Sequence, residues 1–127
     1  MKIWSDEFDG AVTICDQNGM ITYMNDTSKK QFSKYGGGEL VGTNLLDYHP
    51  EPSRTKVANM LVTPTTNIYT IEKAGVKKII HQSPLYENGI FSGLIEISLE
   101  LPQSLPHFIR DQDTERENGR RGENEKV

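Results

Sequence analysis

The chain has 127 residues, a formal net charge of −4, 35% hydrophobic and 25% charged residues, enough for one domain with one buried core. No stretch approaches the ~20 apolar residues that span a bilayer, the start Met1-Lys2-Ile3-Trp4-Ser5-Asp6-Glu7 has no apolar h-region, so no secretory leader is expected, and a pI of about 5.3 argues against nucleic acid as partner. The single cysteine excludes an internal disulfide and a cysteine-rich zinc site, so the bounds fit a cytoplasmic, bacterial-type module without membrane or metal.

Residues 1–10 form a polar lead segment in which Trp4 and Phe8, four apart, would share a face in a turn or two of helix. Val12-Thr13-Ile14-Cys15 and Met20-Ile21-Thr22-Tyr23-Met24 are β-rich runs around Asp16-Gln17-Asn18-Gly19, a hairpin signal. Asn25-Asp26-Thr27-Ser28 supplies N-cap oxygens for a helix over Lys29 to Tyr35, which Gly36-Gly37-Gly38 ends. Glu39-Leu40-Val41-Gly42 and Asn44-Leu45-Leu46-Asp47 read as short helical turns. Pro52 suits the first turn of a further helix over Ser53 to Leu61, closed by Pro64.

Three strands follow as a meander: Asn67 to Lys73, Val76 to Leu85 and Ile90 to Leu101, joined by Ala74-Gly75 and Asn88-Gly89. The last has a period of two. Phe91, Gly93, Ile95, Ile97, Leu99 and Leu101 fall on one side, Ser92, Glu96, Ser98 and Glu100 on the other. The apolar side is expected to be buried and the other partly wet, with Leu94 breaking the polar side as a dimer contact. Residues 102–109 carry Leu105, Phe108 and Ile109 at helical spacing, a segment expected to dock on the core or on a second subunit. Residues 110–127 are charged and almost devoid of apolar side chains, which predicts a disordered tail. The order β-β, short helices, β-β-β predicts an α+β domain over residues 11–101, a five-stranded antiparallel sheet with helices on one face.

In that order the residues resemble the PAS domain, a sensory module. Val12 to Asn25 is similar to the family's opening, two strands around an Asp-x-x-Gly turn ending at Asn. Glu39-Leu40-Val41-Gly42 is similar to its Glu-Leu-Ile-Gly element, Leu45 to Pro50 to its hydrophobic run ending in His-Pro, and Asn88 to Ser98 to its final hairpin and strand. His49-Pro50-Glu51-Pro52-Ser53-Arg54 departs from the commoner His-Pro-Asp-Asp-Arg pattern, and the triple glycine is also unusual. The resemblance implies strand order 2-1-5-4-3, a cavity between sheet and helices, a role in signal transduction, homodimerisation and a partner protein as output. It also implies that haem, flavin, a small metabolite or nothing occupies the cavity.

Four residues are candidates for contact with a small-molecule ligand: His49, Tyr69, His81 and Tyr86. Imidazole suits haem iron, and haem-binding relatives carry an axial His in this region, so a haem sensor with His49 as axial ligand is the alternative. Cys15 lies on the first strand, outside the Asn-Cys-Arg-type motif of photoactive flavin domains, so a flavin photoadduct is not expected. Trp4, Phe8, Leu94, Leu105, Phe108 and Ile109 are the candidate dimer contacts. No glycine-framed serine, metal-spaced His pair or phosphate loop is present, so no catalytic residue is assigned; a small α+β enzyme is the third reading.

Overall fold

The structure, a computed structural model, describes residues 1–111. From residue 112 onward the expected charged tail lies outside the described residues.

Strands β1 (Ala11–Asp16) and β2 (Ile21–Met24) form the first hairpin; α1 (Asp26–Gln31), three 3-10 turns (Ser33–Tyr35, Gly37–Leu40, Leu45–Tyr48) and α2 (Ser53–Val62) follow; β3 (Asn67–Lys73), β4 (Val76–Glu87) and β5 (Ile90–Leu101) complete the chain. All pairings are antiparallel, in the order β2-β1-β5-β4-β3. The turn chemistry explains much of this. Ala74 and Gly75, and Asn88 and Gly89, all hold positive φ, as tight hairpins with the sheet's right-handed twist require. In the first hairpin only Gly19 takes positive φ; Asp16 Oδ1 instead closes the turn by accepting from the Asn18 and Met20 N–H groups.

Asn25 organises the start of the chain. Its Oδ1 accepts from the Ser28 N–H, capping α1, and from the Val12 N–H of β1. Its Nδ2 donates to the Ser5 and Gly10 carbonyls. One buried amide therefore ties the lead segment, β1 and α1 together with all bonds satisfied. Beside it, Thr13 and Ser28 hydroxyls meet at 2.6 Å. The core lies between sheet and helices, where Cys15, Ile21, Met24, Leu40, Leu45, Val57, Met60 and Leu94 pack together.

From Gly93 onward the period of two in β5 holds with its faces reversed, whereas Phe91, before a register shift that skips Ser92, packs against the core as expected. Leu94, only 3% exposed, points into the core, so it is not available as a dimer contact. Glu96 and Ser98 share its face, toward the helices, while Ile95, Ile97 and Leu99 lie half-buried on the other side. A strand's alternation marks two faces without saying which is covered. Here the helices cover the more polar one, on which Glu96 is partnered by His49 and Gln82.

The two ends also differ from expectation. Residues 1–10 make turns, not a helix, although Trp4 and Phe8 do meet edge-to-face at 6.1 Å. Residues 102–109 contain no helix, and Leu105, Phe108 and Ile109 are 59%, 69% and 74% exposed, not docked on the described core. Pro106 supplies the reason: it disfavours helical geometry at Leu105 and lacks the N–H a helix would use.

Gly93 marks the tightest approach in the sheet. A Cβ there would lie 1.9 Å from the Cys15 carbonyl oxygen. Ala74, by contrast, carries a side chain at φ 52°, a left-handed conformation costing a non-glycine residue roughly 1–2 kcal/mol. In urea unfolding, Gly93→Ala should cost more than about 3 kcal/mol, whereas Ala74→Gly should be neutral or stabilising by up to about 1 kcal/mol. Equal effects would contradict the register of β1 on β5.

Candidate functional site

The site is built around a buried carboxylate. β5 carries Glu96 to the middle of the helix-facing side, opposite Thr13 of β1 and Gln82 of β4. The 3-10 turn Leu45–Tyr48, opened by Asn44 Oδ1 accepting from the Leu46 N–H, ends at His49 and turns its ring onto that carboxylate. His49 Nε2 lies 3.2 Å from Glu96 Oε1, and Nδ1 lies 3.0 Å from the Leu45 carbonyl oxygen. Gln82 Nε2 donates to the same Glu96 oxygen at 3.0 Å, and Asn67 Nδ2 donates to Gln82 Oε1 at 2.9 Å. The result is a chain of polar side chains, Asn67–Gln82–Glu96–His49, running from edge strand β3 to the loop before α2.

The partners constrain the protonation state. A carbonyl and an ionised carboxylate can only accept, so with Glu96 ionised both ring nitrogens carry hydrogen and His49 is an imidazolium. Burial lowers the imidazole's affinity for its proton. The hydrogen bond to Glu96, its charge and the Leu45 carbonyl outweigh that and hold the His49 pKa above its ordinary 6.5. Burial likewise pushes the Glu96 carboxyl up, but His49 and Gln82 outweigh it and hold it below its ordinary 4.5. The pair is thus an internal salt bridge, with His49 and Glu96 side chains 8% and 13% exposed.

A cleft of about 320 Å³ opens beside this chain, between α2 and the β3–β4 pair, lined by Pro52, Ser53, Lys56, Asn67, Tyr69 and Gln82. Tyr69 pairs with Ile80 in the sheet and so faces the helices. Burial, with the Glu96 charge adding to it, raises its phenol pKa, against a contact with Ser53. The cleft offers amide, hydroxyl and ammonium groups over an aromatic wall, suited to a small polar molecule.

Of the four candidate ligand residues, His49 and Tyr69 are brought to this region. His81 is not. It pairs with Ile97 and Ile68 on the opposite face of the sheet. Tyr86 lies past a register shift near the β4–β5 turn, exposed, its ring against Phe91 at 6.2 Å. Sequence reasoning does not single out Glu96, Gln82 and Asn67; the sole signal is a Glu and a Gln inside strands, and hydrophobic alternation places Glu96 on the wetter side of β5. The residues present do not fit haem ligated through His49, because both its ring nitrogens are engaged and the side chain is locked against β5. Cys15 is buried, and burial raises its thiol pKa, the opposite of an activated thiolate. Among the described residues no group of three or more His, Cys, Asp or Glu side chains could hold a metal ion, and no helix is long and apolar enough to cross a membrane.

The pair sets a pH window for stability. The contribution from His49, whose pKa is raised, is complete below about 6.5 and is lost as pH rises through its folded value. That from Glu96, whose pKa is lowered, is complete above about 4.5 and is lost as pH falls through its folded value. Removing one partner leaves an uncompensated buried charge, at about 3–5 kcal/mol. In denaturant unfolding, His49→Ala should cost that much near pH 6, and His49→Ala/Glu96→Gln less than the single variant. A cost for His49→Ala that stayed below about 1 kcal/mol across the pH range would show the pair is not buried and charged.

No family model and no curated protein sequence matches the chain. Solved structures do. The sensor region of a sensor histidine kinase superposes at TM-score 0.56 and 18% identity over 72% of this chain, which spans 39% of that chain. A sensory box sensor histidine kinase from Vibrio cholerae superposes at 0.59 and 16% identity over 76% of this chain and 86% of its own. The Aer2 receptor from Vibrio cholerae, described as a dual PAS-heme oxygen sensor, superposes at 0.53 and 18% identity over 73% and 95%. With strand order 2-1-5-4-3, the short helices on one face and these neighbours, the chain has the PAS fold.

Proposed function

We propose that the chain is a sensory or protein-interaction module of signal transduction, which takes a small polar molecule in the cleft between α2 and the β3–β4 pair. The observation that carries this reading is that the cleft opens directly on the polar chain Asn67–Gln82–Glu96–His49. A molecule that hydrogen-bonds Asn67 or Gln82 competes for the groups that hold Glu96. That carboxylate in turn holds the loop from Leu45 to His49 on the sheet. Ligand and loop are therefore coupled through one carboxylate, and a ligand that binds the two loop positions with different affinity shifts their populations. Sensory PAS structures among the neighbours support a signalling role.

Native mass spectrometry of the freshly purified chain tests this. A bound small molecule should be seen and should vanish in Ser53→Trp, which fills the cleft from its rim. A chain that carries no such mass and shows no thermal shift against a library of polar metabolites would contradict the reading.

The output surface in this proposal is a homodimer contact. Trp4 at 76% exposure, Phe8, and the undocked Leu105, Phe108 and Ile109 leave apolar side chains in water at both ends of the domain, and a two-fold interface buries the same patch on both chains. Light scattering at micromolar concentration should give a dimer mass that Trp4→Glu with Phe108→Glu reduces to a monomer. Because Leu105, Phe108 and Ile109 are exposed among the described residues, ending the chain at Pro102 should weaken the dimer yet leave a folded monomer. A monomeric parent chain would overturn the contact.

A further inference from the structure

The two edges of the sheet differ. At the β2 edge, Met20 bridges to Asn44, the Ile21 N–H donates to the Thr43 carbonyl and the Gly42 N–H donates to the Ile21 carbonyl, so residues 42–44 cover that strand. At the other edge β3 pairs with β4 residue for residue from Asn67 to Lys73. Among the described residues no backbone hydrogen bond joins β3 to any other element. In an antiparallel strand alternate residues turn both their N–H and C=O away from the neighbour, so β3 presents a row of open donors and acceptors.

Free edges are ordinarily blunted by a proline, a bulge, shortness or charged side chains along the strand. The seven residues of β3 pair with β4 without a register shift and include no proline or glycine. Its two charges, Glu72 and Lys73, stand together at one end beside the turn. Between the ends run Ile68-Tyr69-Thr70-Ile71, all β-branched or aromatic, with Ile68 and Ile71 exposed on opposite faces.

We propose that β3 pairs antiparallel with β3 of a second copy of this chain, about a two-fold axis, joining the two sheets into one. The strand is its own complement. The register that engages all seven residues has the axis at Thr70. Thr70 then lies opposite Thr70, Tyr69 opposite Ile71, Ile68 opposite Glu72 and Asn67 opposite Lys73. Threonine pairs and aromatic with β-branched pairs are favourable cross-strand combinations, and no like charges face each other. Moving the axis by one residue sets Tyr69 against Lys73 or leaves Glu72 and Lys73 beyond the end of the other strand. Tyr69 and Ile71 share the side that faces the helices, so the second copy's Ile71 extends the Tyr69 wall of the cleft at α2. A seven-residue edge covers less than the roughly 1,600 Å² of a standard interface. The contact is therefore weaker than micromolar, and it is separate from the one built on Trp4 and Phe108.

The test is disulfide trapping in the full chain, under mild oxidation and at concentrations well above micromolar. Thr70→Cys, at an exposed position, sets a thiol opposite itself, where Cα atoms about 4.5–5.5 Å apart fall within disulfide reach. Lys73→Cys, also exposed, sets its two thiols a strand's length apart, about 20 Å, and measures random collision. Cys15 is buried and takes no part. Thr70→Cys should link at least tenfold faster than Lys73→Cys. Adding Trp4→Glu with Phe108→Glu should leave that preference intact, which separates this contact from the other. Equal rates at the two positions, the outcome if an unrelated strand or only solvent covers the edge, would overturn the proposal, as would a preference lost when Trp4 and Phe108 are replaced.

Discussion

A carboxylate in the middle of a sheet face is the constraint from which the rest of this structure follows. An ionised carboxylate removed from water is strongly disfavoured unless a counter-charge and hydrogen bonds replace its hydration. Glu96 sits where helices cover the sheet, so the loop crossing above it must deliver a cation, and His49 is that cation. Its second nitrogen must then find an acceptor, which fixes the ring against the Leu45 carbonyl and the preceding 3-10 turn against the sheet. Gln82 and Asn67 extend the same requirement to the edge of the sheet. The geometry of residues 44–52 and the floor of the cleft at α2 are consequences of one buried charge.

Replacing Glu96 and His49 by apolar residues of matching volume is often no worse for stability, by general experience with buried ion pairs. What such residues would not give is the hydrogen-bonded chain from Asn67 to His49 that links the cleft at α2 to the loop. Nor does the fold itself supply a function. The same architecture in the solved neighbours includes a haem oxygen sensor and kinase sensor regions, and the difference must lie in which side chains fill the cavity. In this chain the histidine that a haem sensor would need is spent on an internal salt bridge.

The strands were legible because their signals were local. The bounds of β3 and β5 follow from Ala74-Gly75 and Asn88-Gly89, where turn residues at positive φ leave the chain no other course. Asn25 was legible as a helix cap, but its second acceptor bond, to the Val12 N–H, joins residues of different elements and no pattern in the sequence marks it. The face of β5 was the chief misreading. Hydrophobic alternation assigns the apolar side to the core, yet Ile95, Ile97 and Leu99 are half-buried on the uncovered face, while Glu96 and Ser98 face the helices. Leu94, set aside as an irregularity, was the residue that marked the core side. The undocked 102–109 segment failed for a local reason, since the helical spacing of Leu105, Phe108 and Ile109 spans Pro106.

The central claim is that His49 is held as a buried imidazolium by Glu96, and the ring nitrogens report on this directly. In ¹⁵N-labelled protein at pH 6, below the ordinary His pKa of 6.5, both Nδ1 and Nε2 of His49 should show the shifts of protonated nitrogens, and Glu96→Gln should move the ring toward a neutral tautomer. A His49 ring that is already neutral at pH 6 in the unsubstituted chain, with one nitrogen unprotonated, would contradict the account.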